Sequence, residues 1–156
     1  MARLLAAGDR PILTDPREEL RSRVRRDLPP PDDFQVILRG GPDTASLIRA
    51  HARRVNRLFI LDGSDVWAIS VFVALDDVGT GSAKAILQTK LHSYAHVYLP
   101  TVGELRRAGF ELLATFSRPH FSVLMPSLET ADELVNALGE LRLNPYAGGQ
   151  EPGGRA

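Results

Sequence analysis

Three polar residues stand where apolar, strand-like runs would place them at the edge of a cleft. Arg39 ends "FQVILRGG", Ser70 sits inside "WAISVFVAL", and Glu111 opens "FELLATFSRPHFSVLMPS". An arginine fork holds phosphate-bearing ligands, a hydroxyl can orient a carboxylate, and a carboxylate stabilises developing positive charge. A second set follows in the last run: Arg118, His120 and Ser122. Its chemistry would be proton transfer by an imidazole beside a hydroxyl and a guanidinium. A third signal is Arg49, Arg53 and Arg57, four residues apart and so on one helical face. That stripe reads first as a solvated basic face and second as a contact surface for phosphate or RNA.

Other chemistries find little footing. The chain has no cysteine, which excludes disulfides, zinc ribbons, iron–sulfur clusters and thiol nucleophiles. Its four histidines form no HxH or HExxH pair, and His51, His92 and His96 read as structural or surface residues, so no metal site is expected. Neither a GxSxG nucleophile elbow nor a phosphate-binding GxxxxGK[ST] loop occurs. Nineteen basic and nineteen acidic residues cancel, which argues against binding nucleic acid by bulk charge but leaves room for a local basic groove. The short apolar run Leu4–Ala7 is too brief for a signal-peptide core, and no stretch reaches the ~20 apolar residues that span a bilayer. A cytoplasmic protein without membrane attachment is expected.

The elements that must position these residues can be read along the chain. "TDPREELRSRVRRDL" predicts a helix capped by Asp15, and Pro29–Pro31 then stops it and acts as a stiff spacer. Residues 1–33 therefore read as a helical arm and Pro-rich linker, 34–140 as a compact domain, and the Gly- and Pro-rich 141–156 as a disordered tail. Within the domain a strand over "FQVIL" leads to a helix from Asp43 or Thr44 to about Arg57. "RLFILDGSDVWAISVFVAL" predicts a hairpin turning at Asp62-Gly63, with "AISVFVAL" as the most buried strand. A helix over Ser82–Leu91, a strand at "AHVYL" and a short helix closed by Gly109 follow. "FELLATF" and "HFSVLM" form a last hairpin, and a helix opens at Thr130 with a capping box to Glu133 and ends near Gly139. In the hairpin, alternation puts Phe110, Leu112, Ala114 and Phe116 on the core face and sends Glu111, Leu113 and Thr115 toward a cleft. The fold class is α+β, with about six strands in small mixed or antiparallel sheets and flanking helices.

The order Arg39, Ser70, Glu111 on successive strands resembles the R-S-E arrangement of ADP-ribosyltransferases. "LRGG" matches a strand ending in Arg-Gly, and "ISVF" a strand with an apolar residue before serine, although a single serine stands where that family has Ser-Thr-Ser. Gly109 stands two residues before Glu111, where the family usually has Glu or Gln. The resemblance spans Phe34–Met125 and implies an ADP-ribosyltransferase-like fold around an NAD cleft. It implies that Arg39, with Gly40, holds NAD as substrate, that Ser70 positions Glu111, and that Glu111 is catalytic. It further implies a small bacterial toxin of a toxin–antitoxin or defence pair, whose antitoxin or other protein partner could dock on the N-terminal helix. "HFSV" separately resembles the His-x-Ser motif of the 2H phosphoesterases. The second copy would be "HVYL" from His96, where Tyr98 replaces the hydroxyl residue. The alternatives are thus a metal-independent RNase or phosphoesterase using His120, Ser122 and Arg118, or a non-catalytic partner-binding protein.

Overall fold

The near-continuous apolar run "WAISVFV" becomes one of the two central strands of the sheet. A computed structural model describes residues 28–59 and 65–149 of the chain. In it β2 (Trp67–Val73) pairs antiparallel with β1 (Ile37–Gly41) and with β5 (His120–Met125). β4 (Glu111–Ala114) adds to β5, and β3 (His96–Tyr98) and β6 (Leu141–Leu143) extend the other side. The result is one antiparallel sheet in the order β4-β5-β2-β1-β3-β6. The α-helices among the described residues are α1 (Ala45–Phe59), α2 (Ala83–Thr89), α3 (Val102–Arg107) and α4 (Ala131–Leu138). The α+β class holds. None of these helices is long and apolar enough to cross a membrane.

Alternation along the strands divides the sheet into two faces. Ile37, Ile69, Val71, Phe121, Val123 and Leu112 lie on one, and α1, α3 and α4 bury it with Ile48, Ala52, Leu105, Leu134 and Leu138. Each fully buried side chain of that size contributes roughly 1.5–3 kcal/mol, so this layer dominates stability. The opposite face carries a smaller cluster, in which Ile86, Leu87 and Leu91 cover Leu38 and Val97. That cluster takes in no residue of β4 or β5. Ser70, paired with Ser122, belongs to the part of this face that α2 leaves clear.

β1 changes partner half-way. Ile37 and Leu38 pair with Val73 and Phe72 of β2, whereas Arg39, Gly40 and Gly41 pair with β3. Beyond Leu38 the two halves of the sheet part, and the gap between β1 and β2 must be filled by something other than a ladder. Arg39 fills it. Its Nη1 donates to the Ser70 carbonyl at 2.6 Å, supplying the donor that a continued ladder would have supplied.

Several expected elements differ from those observed. The first three residues of "RLFIL" are helical, since α1 runs on to Phe59, and Ile60 and Leu61 lie outside the described residues. The Asp62-Gly63 turn and the N-terminal helix lie outside the described residues. The sixth strand is instead Leu141–Leu143, in the segment read as a tail. That segment is tied down further by Asn144, which is buried and donates to the Leu91 and Tyr94 carbonyls, and by Tyr146, packed on the α2 cluster. Pro31 is likewise not a free spacer; its carbonyl accepts from Arg106 at 2.8 Å. The Thr130–Glu133 capping box does not form. A 3-10 turn at Leu128–Thr130 precedes α4, and the Thr130 hydroxyl donates to the Ser127 carbonyl instead. Thr44, by contrast, caps α1 through Leu47 N–H, and Thr101 with Glu104 forms a capping box on α3.

Candidate functional site

The parting of β1 from β2 opens a cleft of about 490 Å³. Its floor is Leu38–Gly41 and Ser70–Phe72, one wall is α1, and the other is Lys90, Leu91 and Tyr94 beyond α2. α1 contributes Leu47, Ala50, His51 and Arg54, at spacings of three and four, so they form one helical face. Ile48 and Ala52 are turned about a third of a circle away into the core. Arg53 and Arg57 are exposed on the remaining side and line no part of the cleft, and neither does Arg49. The arginine that reaches the cleft from α1 is Arg54, which does not belong to the expected stripe.

Arg39 is held through all three of its guanidinium nitrogens. Besides Ser70, it makes a two-pronged pair with Asp43, Nε to Oδ2 at 2.7 Å and Nη2 to Oδ1 at 3.3 Å. Asp43 is fixed in turn by its backbone N–H, which donates to the Tyr98 hydroxyl at 2.8 Å. Both partners of this pair are nearly buried, and a charge in such a place is costly unless it is paired. Asp43 is the one carboxylate among the residues lining the cleft, against Arg39, Arg54 and Lys90. A chain of zero net charge thus concentrates cations at this spot.

Two imidazoles lie near these cations, His51 in the lining of the cleft and His120 outside it. His51 lies on the α1 wall with Arg54 Nη2 at 3.5 Å from its Nδ1. Burial first, then the positive charges of Arg39 and Arg54, pull its pKa down from 6.5 to about 4, and the charge of His120 lowers it too. His51 is therefore neutral at physiological pH. The guanidinium beside Nδ1 favours a lone pair there and the proton on Nε2. His120 stands directly opposite Phe72 of the cleft floor, edge-on to its ring at 5.9 Å between centroids. Its Nδ1 is 2.9 Å from Thr115 Oγ1, and that oxygen is 2.9 Å from Ser122 Oγ. Thr115 is wholly buried and Ser122 nearly so. This chain of hydroxyls holds the ring through Nδ1. Burial lowers the His120 pKa, and the Thr115 backbone opposes that shift in part.

The expected site residues separate into those that converge and those that do not. Arg39 and Ser70 come together in the cleft, as their strand positions implied. Gly40 also lines it, but the space that its missing side chain leaves is taken by the Tyr94 ring. Glu111 is elsewhere. It sits on the edge strand β4, separated from β2 by β5, with its side chain 63% exposed and paired to Arg106 Nε at 3.3 Å. Its partners are Arg106 and its own strand, and it lines none of the cleft. Ser122 is a buried support for His120 and presents no hydroxyl to a ligand. Arg118 pairs with Asp76 at 2.8 Å in an adjoining depression that shares Lys90 with the cleft. His96, expected to pair with His120, is exposed on β3, on the far side of β1 and β2 from β5. The hairpin alternation holds for Phe110, Leu112 and Ala114, which are buried, and fails at Phe116, which takes φ 56° and is half exposed.

The residues that sequence reading missed are His51, Arg54, Asp43 and Thr115. For the first two a signal existed in the Leu47–Ala50–His51–Arg54 spacing, a second amphipathic face that the more regular arginine stripe obscured. No group of three or more metal-ligating side chains converges among the described residues. Compared with known proteins, the chain matches no family model, no curated protein and no solved structure.

Proposed function

We propose that the cleft cleaves phosphodiesters by acid–base chemistry of the ribonuclease kind, without a protein nucleophile. The observation that carries this reading is His51 in the lining, and His120 against Phe72 of the floor, of a cleft whose three cations outnumber its single, already paired carboxylate. His120 is the base. With Nδ1 held by Thr115 and a pKa below the ordinary value, its Nε2 carries a free lone pair at neutral pH. No serine or threonine hydroxyl at the site is hydrogen-bonded to an imidazole nitrogen that could activate it toward a ligand; Thr115 is, but it is buried. The simplest nucleophile is then one that the substrate brings, the 2′-hydroxyl of RNA. Its proton passes to His120 Nε2, the 2′-oxygen forms a bond to phosphorus, and the bond to the 5′-oxygen breaks, that oxygen taking a proton from water. Charge that grows on the phosphoryl oxygens is met by Arg54, Lys90 and the His51 Nε2–H. His51, neutral and donating, acts as an electrophile.

The test is cleavage of a labelled single-stranded RNA in EDTA, beside the same sequence in DNA. RNA should be cut to a 2′,3′-cyclic phosphate while DNA is left whole, and His120→Ala should lower the rate about 100-fold or more. Arg39 and Ser70 in one cleft favour a second reading, an NAD-splitting transferase. Turnover of NAD that Glu111→Gln abolishes, with RNA left intact, would establish that reading in place of the first.

A further inference from the structure

Phe116 is a large apolar residue where the backbone favours none. It takes φ 56° in the turn between β4 and β5, a left-handed conformation that a side chain makes costly. The residue is nevertheless 49% exposed. The ring stands edge-on to His120, 5.1 Å between centroids and 76° between planes. His120 also meets Phe72, again edge-on, and Phe72 is cleft floor. The imidazole thus touches both a ring of the cleft floor and a half-exposed ring. A phosphate held at His120 would therefore have a half-exposed aromatic ring close by.

We propose that Phe116 is a stacking platform for an unpaired nucleobase next to the phosphodiester handled at His120, so that the substrate is single-stranded RNA. The phosphate half of this inference rests on the function proposed above, and the base half rests on Phe116 itself. Charge complementarity selects a polyanion at the cleft, an aromatic face beside it selects a planar ring, and a nucleic acid strand carries both at regular spacing. A duplex keeps its bases stacked on one another and offers none to the ring.

The experiment measures binding of a fluorescein-labelled RNA oligonucleotide with every 2′-hydroxyl methylated, so that it cannot be cut. Wild type, Phe116→Ala, Phe116→Gly and Phe116→Trp are compared by anisotropy and by thermal melting. Loss of one stacked base should raise Kd about 5- to 100-fold in the Ala and Gly variants and leave Trp near wild type. An oligonucleotide of abasic sugars should bind wild type and Phe116→Ala equally, and duplex RNA should bind wild type at least 10-fold more weakly than the single strand. Because glycine is at ease at φ 56°, Phe116→Gly should melt at or above the wild-type temperature. Equal Kd values across the variants would overturn the proposal and leave the ring for a protein partner, and so would a several-degree fall in melting temperature with Kd unchanged. Cleavage of RNA with no dependence on Phe116 refutes the platform alone. Phe116-dependent binding with no cleavage refutes the nuclease reading alone, and absence of RNA binding refutes both.

Discussion

His51 should make the protein lose stability in acid, by an amount that can be worked out. Its pKa is about 4 in the folded chain and 6.5 as an ordinary histidine, so the unfolded chain binds the extra proton more readily between those values. The sign follows: this contribution is fully present above pH 6.5 and is lost as pH falls toward 4. Two and a half units at about 1.4 kcal/mol each set an upper limit of roughly 3 kcal/mol. The ring is only partly buried, and solvent screening reduces the expected loss to about 1–2 kcal/mol. Denaturant unfolding at pH 7 and pH 4 should show wild type losing that much more than His51→Gln, which cannot titrate. Arg54→Ala removes one cause of the depression and should raise the His51 pKa by NMR titration, and inorganic phosphate at the cleft should raise it also. If His51→Gln and wild type lose stability in parallel, or if His51 titrates at 6 or above, burial and the two guanidinium groups do not act as described.

The rate of RNA cleavage should rise with pH through the His120 pKa, below 6.5, and level off at neutral pH, since the base works deprotonated; Thr115→Val should lower kcat more than it changes KM, measured on the same pH series. Asp43→Asn should destabilise by about 3 kcal/mol in thermal or denaturant melts, because it leaves the Arg39 guanidinium nearly buried without its partner. Glu111→Gln should change melting temperature and RNA cleavage little, as an exposed ion pair is worth at most about 1 kcal/mol. Truncation after Gly149 should leave the melting temperature unchanged, whereas truncation after Glu140 should lower it sharply by removing β6, Asn144 and Tyr146.

Short-range chemistry made much of the architecture legible. Thr44, Thr101 and Gly109 mark helix ends through hydroxyl caps and a positive φ, all effects that act within a few residues. The unbroken apolar run of "AISVFV" signalled a strand covered on both faces; it is a central strand of the sheet, but only one face is fully covered, and Ser70 and Phe72 on the other are half-buried. The errors fell where local patterns were ambiguous. "RLFIL" is apolar enough for a strand, yet the helix before it continues through its first three residues, to Phe59. "LRL" is too short for a strand to be read from it, and only the open edge of β3 makes it one.

The candidate site divides in the same way. Sequence alone identified Arg39, Ser70 and His120 as polar residues interrupting apolar runs, because an interruption of that kind is visible in one dimension. It also attached Glu111 to them, since order along the chain looks like proximity when strands are assumed to neighbour in sequence order. Tertiary structure decided otherwise. β5 returns between β2 and β4, so the strand carrying Glu111 ends at the sheet edge, and the one carrying His120 comes to lie against β2. The switch of β1 from β2 to β3 opens the cleft, and the turn of α1 sends His51 and Arg54 into it. Pairing register and helix rotation are settled by the packing of whole faces, which depends on residues far apart in the chain, and for that reason no single stretch of this sequence contained them.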